Sequence, residues 1–95
     1  MRERDLRVKI CDLADALGLL WTYNPDSRRC LGSRGVPDLM IAGPRGVIPA
    51  ELKESSGSLS QDQEIWAAWL PGFRVWRPEH WVSGRVREDL ERIAA

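Results

Sequence analysis

Hydrophobic positions along this 95-residue chain fall into short runs with different spacings. In residues 3–18, Leu6, Ile10, Leu13 and Leu17 recur at intervals of four, three and four. That spacing predicts a helix with one apolar stripe, stopped by Gly18. Leu19 to Tyr23 reads as a short strand. Residues 24–35 are polar and rich in Arg, which predicts a loop. Val36 to Ala42 alternates, with Leu39 and Ile41 on one face and Asp38 and Met40 on the other. Gly43-Pro44-Arg45-Gly46 is a turn with Pro at its second position, and Val47 to Lys53 returns, completing a hairpin. Glu54 to Leu59 is a Ser/Gly loop. Ser60 starts a helix to about Leu70, with Ile65, Trp66 and Trp69 on its apolar face, and Pro71-Gly72 breaks it. Phe73 to Trp76 is a further strand, followed from about Ser83 to Ala95 by a helix carrying Val86, Leu90 and Ile93.

The order is helix, strand, hairpin, helix, strand, helix. The second hairpin strand, the helix after it and the Phe73 strand form a crossover, which places those two strands in parallel. The expected fold class is α/β: one domain over residues 1–95, a small mixed sheet flanked by helices.

The hairpin register carries the chemistry. With a turn that adds no bulge, residue 43 faces 46, 41 faces 48, and Asp38 faces Glu51. Cross-strand neighbours have Cβ atoms about 4.5–5.5 Å apart. Two carboxylates that close repel unless a cation lies between them or they share a proton. Lys53, two residues beyond Glu51, points to the same side, while Leu39, Ile41, Ile48, Ala50 and Leu52 form a core face. Hard divalent cations prefer oxygen ligands, and Mg²⁺ keeps several waters beside one or two carboxylates. A bound metal polarises a phosphoryl oxygen and lowers the pKa of a water, and an adjacent Lys orients that water or stabilises developing charge. This is a phosphodiester-hydrolysing constellation. The plainer reading is a solvated Glu51–Lys53 ion pair of little consequence. Pro49, inside the same strand, points to pairing that begins after it or to a bulge that shifts the register.

Composition narrows the classes without deciding among them. Fourteen basic residues balance 14 acidic ones, which excludes a polycation holding nucleic acid by bulk charge. Twelve of the 14 are Arg, a bias that favours bidentate grip on phosphate and that genome base composition also produces. Arg28, Arg29 and Arg34, just before Asp38, are either a solvated loop or a contact to DNA phosphates. The apolar runs are too short for a membrane span or signal peptide. Cys11 and Cys30 form no zinc spacing. A reduced intracellular compartment is the default, with Cys11 a small buried hydrophobe; one Cys11–Cys30 disulfide is the alternative. Ser60 and Gln63 have capping-box spacing. His80 is expected at the surface, and Trp66, Trp69 and Trp76 in the core or an interface rather than as base-stacking platforms.

Gly35-Val36-Pro37-Asp38 followed by Glu51-Leu52-Lys53 resembles the PD-(D/E)XK nuclease signature. The longer string is more specific. Ser27-Arg28-Arg29, Gly35-x-Pro37-Asp38-Leu39, Glu51-Leu52-Lys53 and Gly57-x-Leu59-Ser60-x-x-Gln63-x-x-Trp66 resemble the VRR-Nuc group, particularly its small stand-alone phage and bacterial members. Val75-Trp76-Arg77-Pro78 and Trp81 also fit. The resemblance implies a restriction-endonuclease-like αβββαβ core, with Mg²⁺ or Mn²⁺ held by Asp38, Glu51 and the Leu52 backbone carbonyl. It implies Lys53 assisting the attacking water, Gln63 at the metal or substrate, and a first-helix acid at Glu3, with Asp5 close by. It further implies a homodimer that cuts branched DNA such as four-way junctions, in the cytoplasm of a bacterial or phage-infected cell. Relatives often carry His where this chain has Tyr23. Two other readings remain: a catalytically idle DNA-binding module and a protein-interaction domain on the same fold.

Overall fold

The computed structural model describes residues 1–25 and 31–95. Helix α1, Glu3–Ala16, buries Leu6, Ile10 and Leu13 along the predicted stripe, together with Cys11 and Ala14. It ends two residues earlier than the spacing suggests, because Leu17 caps it and Gly18 turns left-handed at φ +73°. The Gly18 and Leu19 N–H groups donate back to the Asp15 and Ala14 carbonyls. These bonds satisfy acceptors that a helix end otherwise leaves open.

Among the described residues four strands follow the order β1-β2-β3-β4: β1 Leu20–Tyr23, β2 Leu39–Gly43, β3 Gly46–Leu52 and β4 Arg74–Trp76. The first three are antiparallel neighbours, and β4 runs parallel to β3. Helix α2, Gln61–Trp69, makes the crossover between β3 and β4, and α3, Pro78–Val82, and α4, Arg85–Ile93, close the chain. The molecule is thus α/β, an αβββαβ core with a mixed sheet flanked by helices. The hydrophobic spacing does not predict α3. Its five residues bury only Pro78, too few for a periodicity to show.

Leu39, Ile41, Ile48, Ala50 and Leu52 line one face of the sheet and join Leu6, Ile10, Val86, Leu90 and Trp76 in one core cluster. A fully buried Leu or Ile contributes about 1.5–3 kcal/mol relative to exposure, so this face holds the sheet to α1 and α4. The hairpin turn also docks on α4. The Arg45 N–H donates to the Ile93 carbonyl at 3.1 Å, and a Cβ on Gly43 would collide with that carbonyl. Inside α4, Asp89 is buried and accepts the Trp76 indole N–H at 3.1 Å. Arg74 and Arg85 offset its charge at 3.3 and 3.9 Å.

Pro49 disturbs nothing. It pairs with Met40 in an unbroken register with no bulge at Gly46. The Lys53 N–H donates to the Trp76 carbonyl, on the β4 side. Residues an even number apart on a strand point the same way, so the Pro49 nitrogen also faces β4. That ladder starts one residue later, at Ala50 opposite Arg74, and no strand bond is lost.

Strand β2 begins at Leu39 rather than Val36. Continued past the Leu39–Ala50 pair, the register puts Pro37 opposite Leu52. Proline has no N–H to donate there, and the Leu52 N–H is taken by the Asp38 carboxylate instead. Among the described residues no helix is long and apolar enough to cross a membrane.

Candidate functional site

Asp38 and Glu51 meet where the β2–β3 ladder stops. The observed register, Leu39 with Ala50 and Ile41 with Ile48, is the one that sets these two carboxyls opposite each other. Several backbone contacts fix Asp38. The Asn24 N–H donates to its carbonyl at 2.7 Å, continuing the β1–β2 edge. The Leu52 N–H donates to its Oδ1 at 3.3 Å. Just upstream, Gly35 has φ +84° and lies flat against the start of α2, where a Cβ would fall 2.6–2.8 Å from Asp62 and Gln63 atoms. Only glycine fits there without displacing backbone.

Glu51 is buried, only 5% exposed, although it is a carboxylate in a small domain. The solvated ion-pair reading of Glu51 with Lys53 fails on that observation. Burial pushes the Glu51 carboxyl up to about 8, helped by the Asp38 charge and by a side-chain hydrogen bond to Asp38, with Lys53 pulling it down. Burial likewise raises Asp38 to about 6; the hydrogen bonds from Glu51 and the Leu52 N–H lower it, and Glu3 raises it. Near neutral pH the pair therefore holds one proton between two carboxyls, as close like charges require. Glu51 Oε1 is buried without any hydrogen-bond partner.

The remaining expected residues are distributed as follows. Glu3, on the first turn of α1, bears on Asp38 electrostatically. Asp5 accepts the Arg2 N–H at 3.3 Å and serves the helix start instead. Lys53 is half-buried one residue past β3, its charge felt by Glu51. Gln63 forms the capping box: its Oε1 accepts the Ser60 N–H at 2.9 Å, and its own N–H donates to Ser60 Oγ at 3.2 Å. Arg34 is exposed, and its carbonyl accepts the Trp66 indole N–H at 2.8 Å. Arg28 and Arg29 lie outside the described residues, as does Cys30. Cys11 is buried as expected. Of the tryptophans, Trp76 is core, whereas Trp66 is half-buried and Trp69 is 82% exposed. His80 is half-buried rather than superficial, and its Nδ1 accepts the Arg77 N–H at 3.0 Å.

Arg77, which the sequence offers only within the Val75–Pro78 string and without a role, contributes a clamp. Its Nη1 donates to the Glu54 and Gly57 carbonyls, closing the loop that leaves Lys53. The Ser55 hydroxyl donates to Glu79 from the same loop at 3.0 Å. The only signal for this clamp is the Arg77-Pro78 pair, which marks a helix start.

Among the described residues no three His, Cys, Asp or Glu side chains converge as a metal-ligand set. Two carboxyls do converge, and Mg²⁺ needs no more than one or two beside its waters. The orphaned Glu51 Oε1 and the proton held between the carboxyls are what a divalent cation would satisfy and displace. The Leu52 carbonyl points to the same strand edge as its N–H, and Pro37 cannot donate to it. The residues present fit a cation. No family model, curated protein or solved structure matches the chain.

Proposed function

We propose that this chain is a Mg²⁺- or Mn²⁺-dependent DNA endonuclease. The observation that carries the proposal is the pairing of half-buried Asp38 with buried Glu51, whose Oε1 has no partner, with Lys53 on the same face. Burying two carboxyls together destabilises a fold unless something compensates. A site with this cost at the end of a sheet, beside a half-buried Lys, is a candidate for chemistry. Asp38, Glu51 and the Leu52 carbonyl would hold the cation, which supplies charge to a phosphoryl oxygen and a more acidic water. Lys53 orients the attacking water and offsets charge developing on the phosphate. Glu3, from α1, adds negative charge on the Asp38 side of the site. Arg34 offers its guanidinium to a flanking phosphate from the loop that delivers Asp38.

The likeness of the Ser27–Trp66 string to the VRR-Nuc group supports branched DNA as the substrate, a homodimer as the working unit and the bacterial or phage-infected cytoplasm as the setting. A two-fold dimer places two sites for symmetric cuts.

A cleavage panel over four-way junction, flap, single strand and duplex, with and without Mn²⁺, tests the reading. Cleavage is expected only with the cation. Asp38→Ala and Lys53→Ala should lower it by at least about a hundredfold while circular dichroism stays native. Undiminished cleavage by Lys53→Ala would remove its assigned role. Failure of the wild type to cut any DNA form with Mn²⁺ would sink the nuclease assignment.

A further inference from the structure

Helix α2 crosses over the sheet but buries none of its residues completely. Its apolar side, Ile65, Trp66 and Trp69, instead forms one wall of a cleft of about 360 Å³. Ser33, Arg34 and Asp62 supply the polar rim. Trp66 is locked by its bond to the Arg34 carbonyl, so the loop and the helix wall form one unit. Trp69 stands 82% exposed beside it.

The chemistry of the cleft is specific. One cation, one carboxylate and one hydroxyl around apolar and indole walls make it neutral overall, which does not suit a bare phosphate. It suits a flat heteroaromatic ring whose faces are apolar and whose edge carries both donors and acceptors. One loop ties the cleft to the candidate site. Arg34 and Asp38 are four residues apart, a span of at most about 14 Å even if extended, and Gly35 between them is pressed onto Asp62 and Gln63.

We infer that this cleft receives an unpaired nucleobase of the DNA strand whose phosphate lies at Asp38 and Glu51. The inference rests on the nuclease reading for the strand's position and adds the substrate feature recognised there, a base free of its partner. Trp69 supplies the stacking surface. Ser33 and Asp62 meet the base edge, while Arg34 at the rim stays with the flanking phosphate. Paired bases in an uninterrupted duplex cannot enter, so the cleft selects single-stranded or branched DNA over blunt duplex.

Fluorescence anisotropy with a labelled oligothymidylate and a labelled blunt duplex, both in EDTA, tests this without cleavage. Trp69→Ala should weaken oligothymidylate binding about 5- to 150-fold, the range for losing one stacked base. Duplex binding should be unchanged, and Trp69→Phe should restore most of the single-strand affinity. Because Trp69 is exposed, the Ala variant keeps its circular dichroism and melting temperature. Equal oligothymidylate affinity for wild type and Trp69→Ala overturns the inference. So does an equal loss on both DNA forms. So does a change of sedimentation mass in Trp69→Ala, which would assign the cleft to a second copy of the chain. The nuclease reading fails separately: if Trp69-dependent single-strand binding is found but Mn²⁺ supports no cleavage, the cleft stands and the enzyme assignment falls.

Discussion

Glu51 concentrates the conflict between stability and chemistry. Its carboxyl and that of Asp38 are both raised above their ordinary values, chiefly by burial, to about 8 and about 6. The folded state therefore binds protons more tightly than the unfolded chain, and its stability falls as pH rises from about 4.5 through about 8. Glu51→Gln mimics the protonated pair: its amide N–H₂ donates to Asp38, and no second charge remains. In the absence of divalent cation it is expected to raise the melting temperature at pH 8 by several degrees, since about 1 kcal/mol shifts a domain of this size by about 4–8 °C. At pH 5 the gain should vanish. Cleavage should be lost at both. Thermal melts of both proteins across that range check it. A gain independent of pH would show that Glu51 is not the group whose proton is released.

At the scale of elements, Gln63 separates two roles that its spacing alone cannot. Its Oε1 is committed to the Ser60 N–H at the start of α2. Ser60→Ala is expected to cost about 1 kcal/mol, read as a lower melting temperature. Gln63→Glu preserves the reach-back bond and should keep both stability and cleavage. Cleavage lost in Gln63→Glu at an unchanged melting temperature would place Gln63 at the substrate. The same helix marks how far the sequence could be read. The stripes of α1 and α4 and the alternation of β2 and β3 were legible because each buries one face, and burial writes a period into the residues. From them followed the register that sets Asp38 against Glu51. The exposure of Ile65 and Trp69 was not legible. An apolar helix face has the same spacing whether the molecule covers it or leaves it open, and only the packing of the chain decides. The α3 turn was hidden because five residues are too few to show a period, and the Arg77 clamp because its acceptors are backbone carbonyls, which have no side-chain signature.

At the scale of the whole molecule, a domain of 95 residues has a margin of only about 5–15 kcal/mol, and the site draws on it. A divalent cation that replaces the shared proton should return that stability. Any ligand that binds only the folded state adds RT ln(1 + [L]/Kd), about 2.7 kcal/mol at a hundredfold excess over Kd. The effect has a sign in pH. Below about 6 both carboxyls hold protons that the cation must displace, whereas near 8 the pair is shedding its last proton and the cation meets less competition. Mn²⁺ is therefore expected to raise the melting temperature by about 10 °C or more at pH 8 when in hundredfold excess. At pH 5 and the same concentration it should raise it much less. Asp38→Ala should abolish the increment at both values. Calorimetric scans with and without Mn²⁺ decide the matter, because a cation bound elsewhere on the surface would stabilise wild type and Asp38→Ala alike.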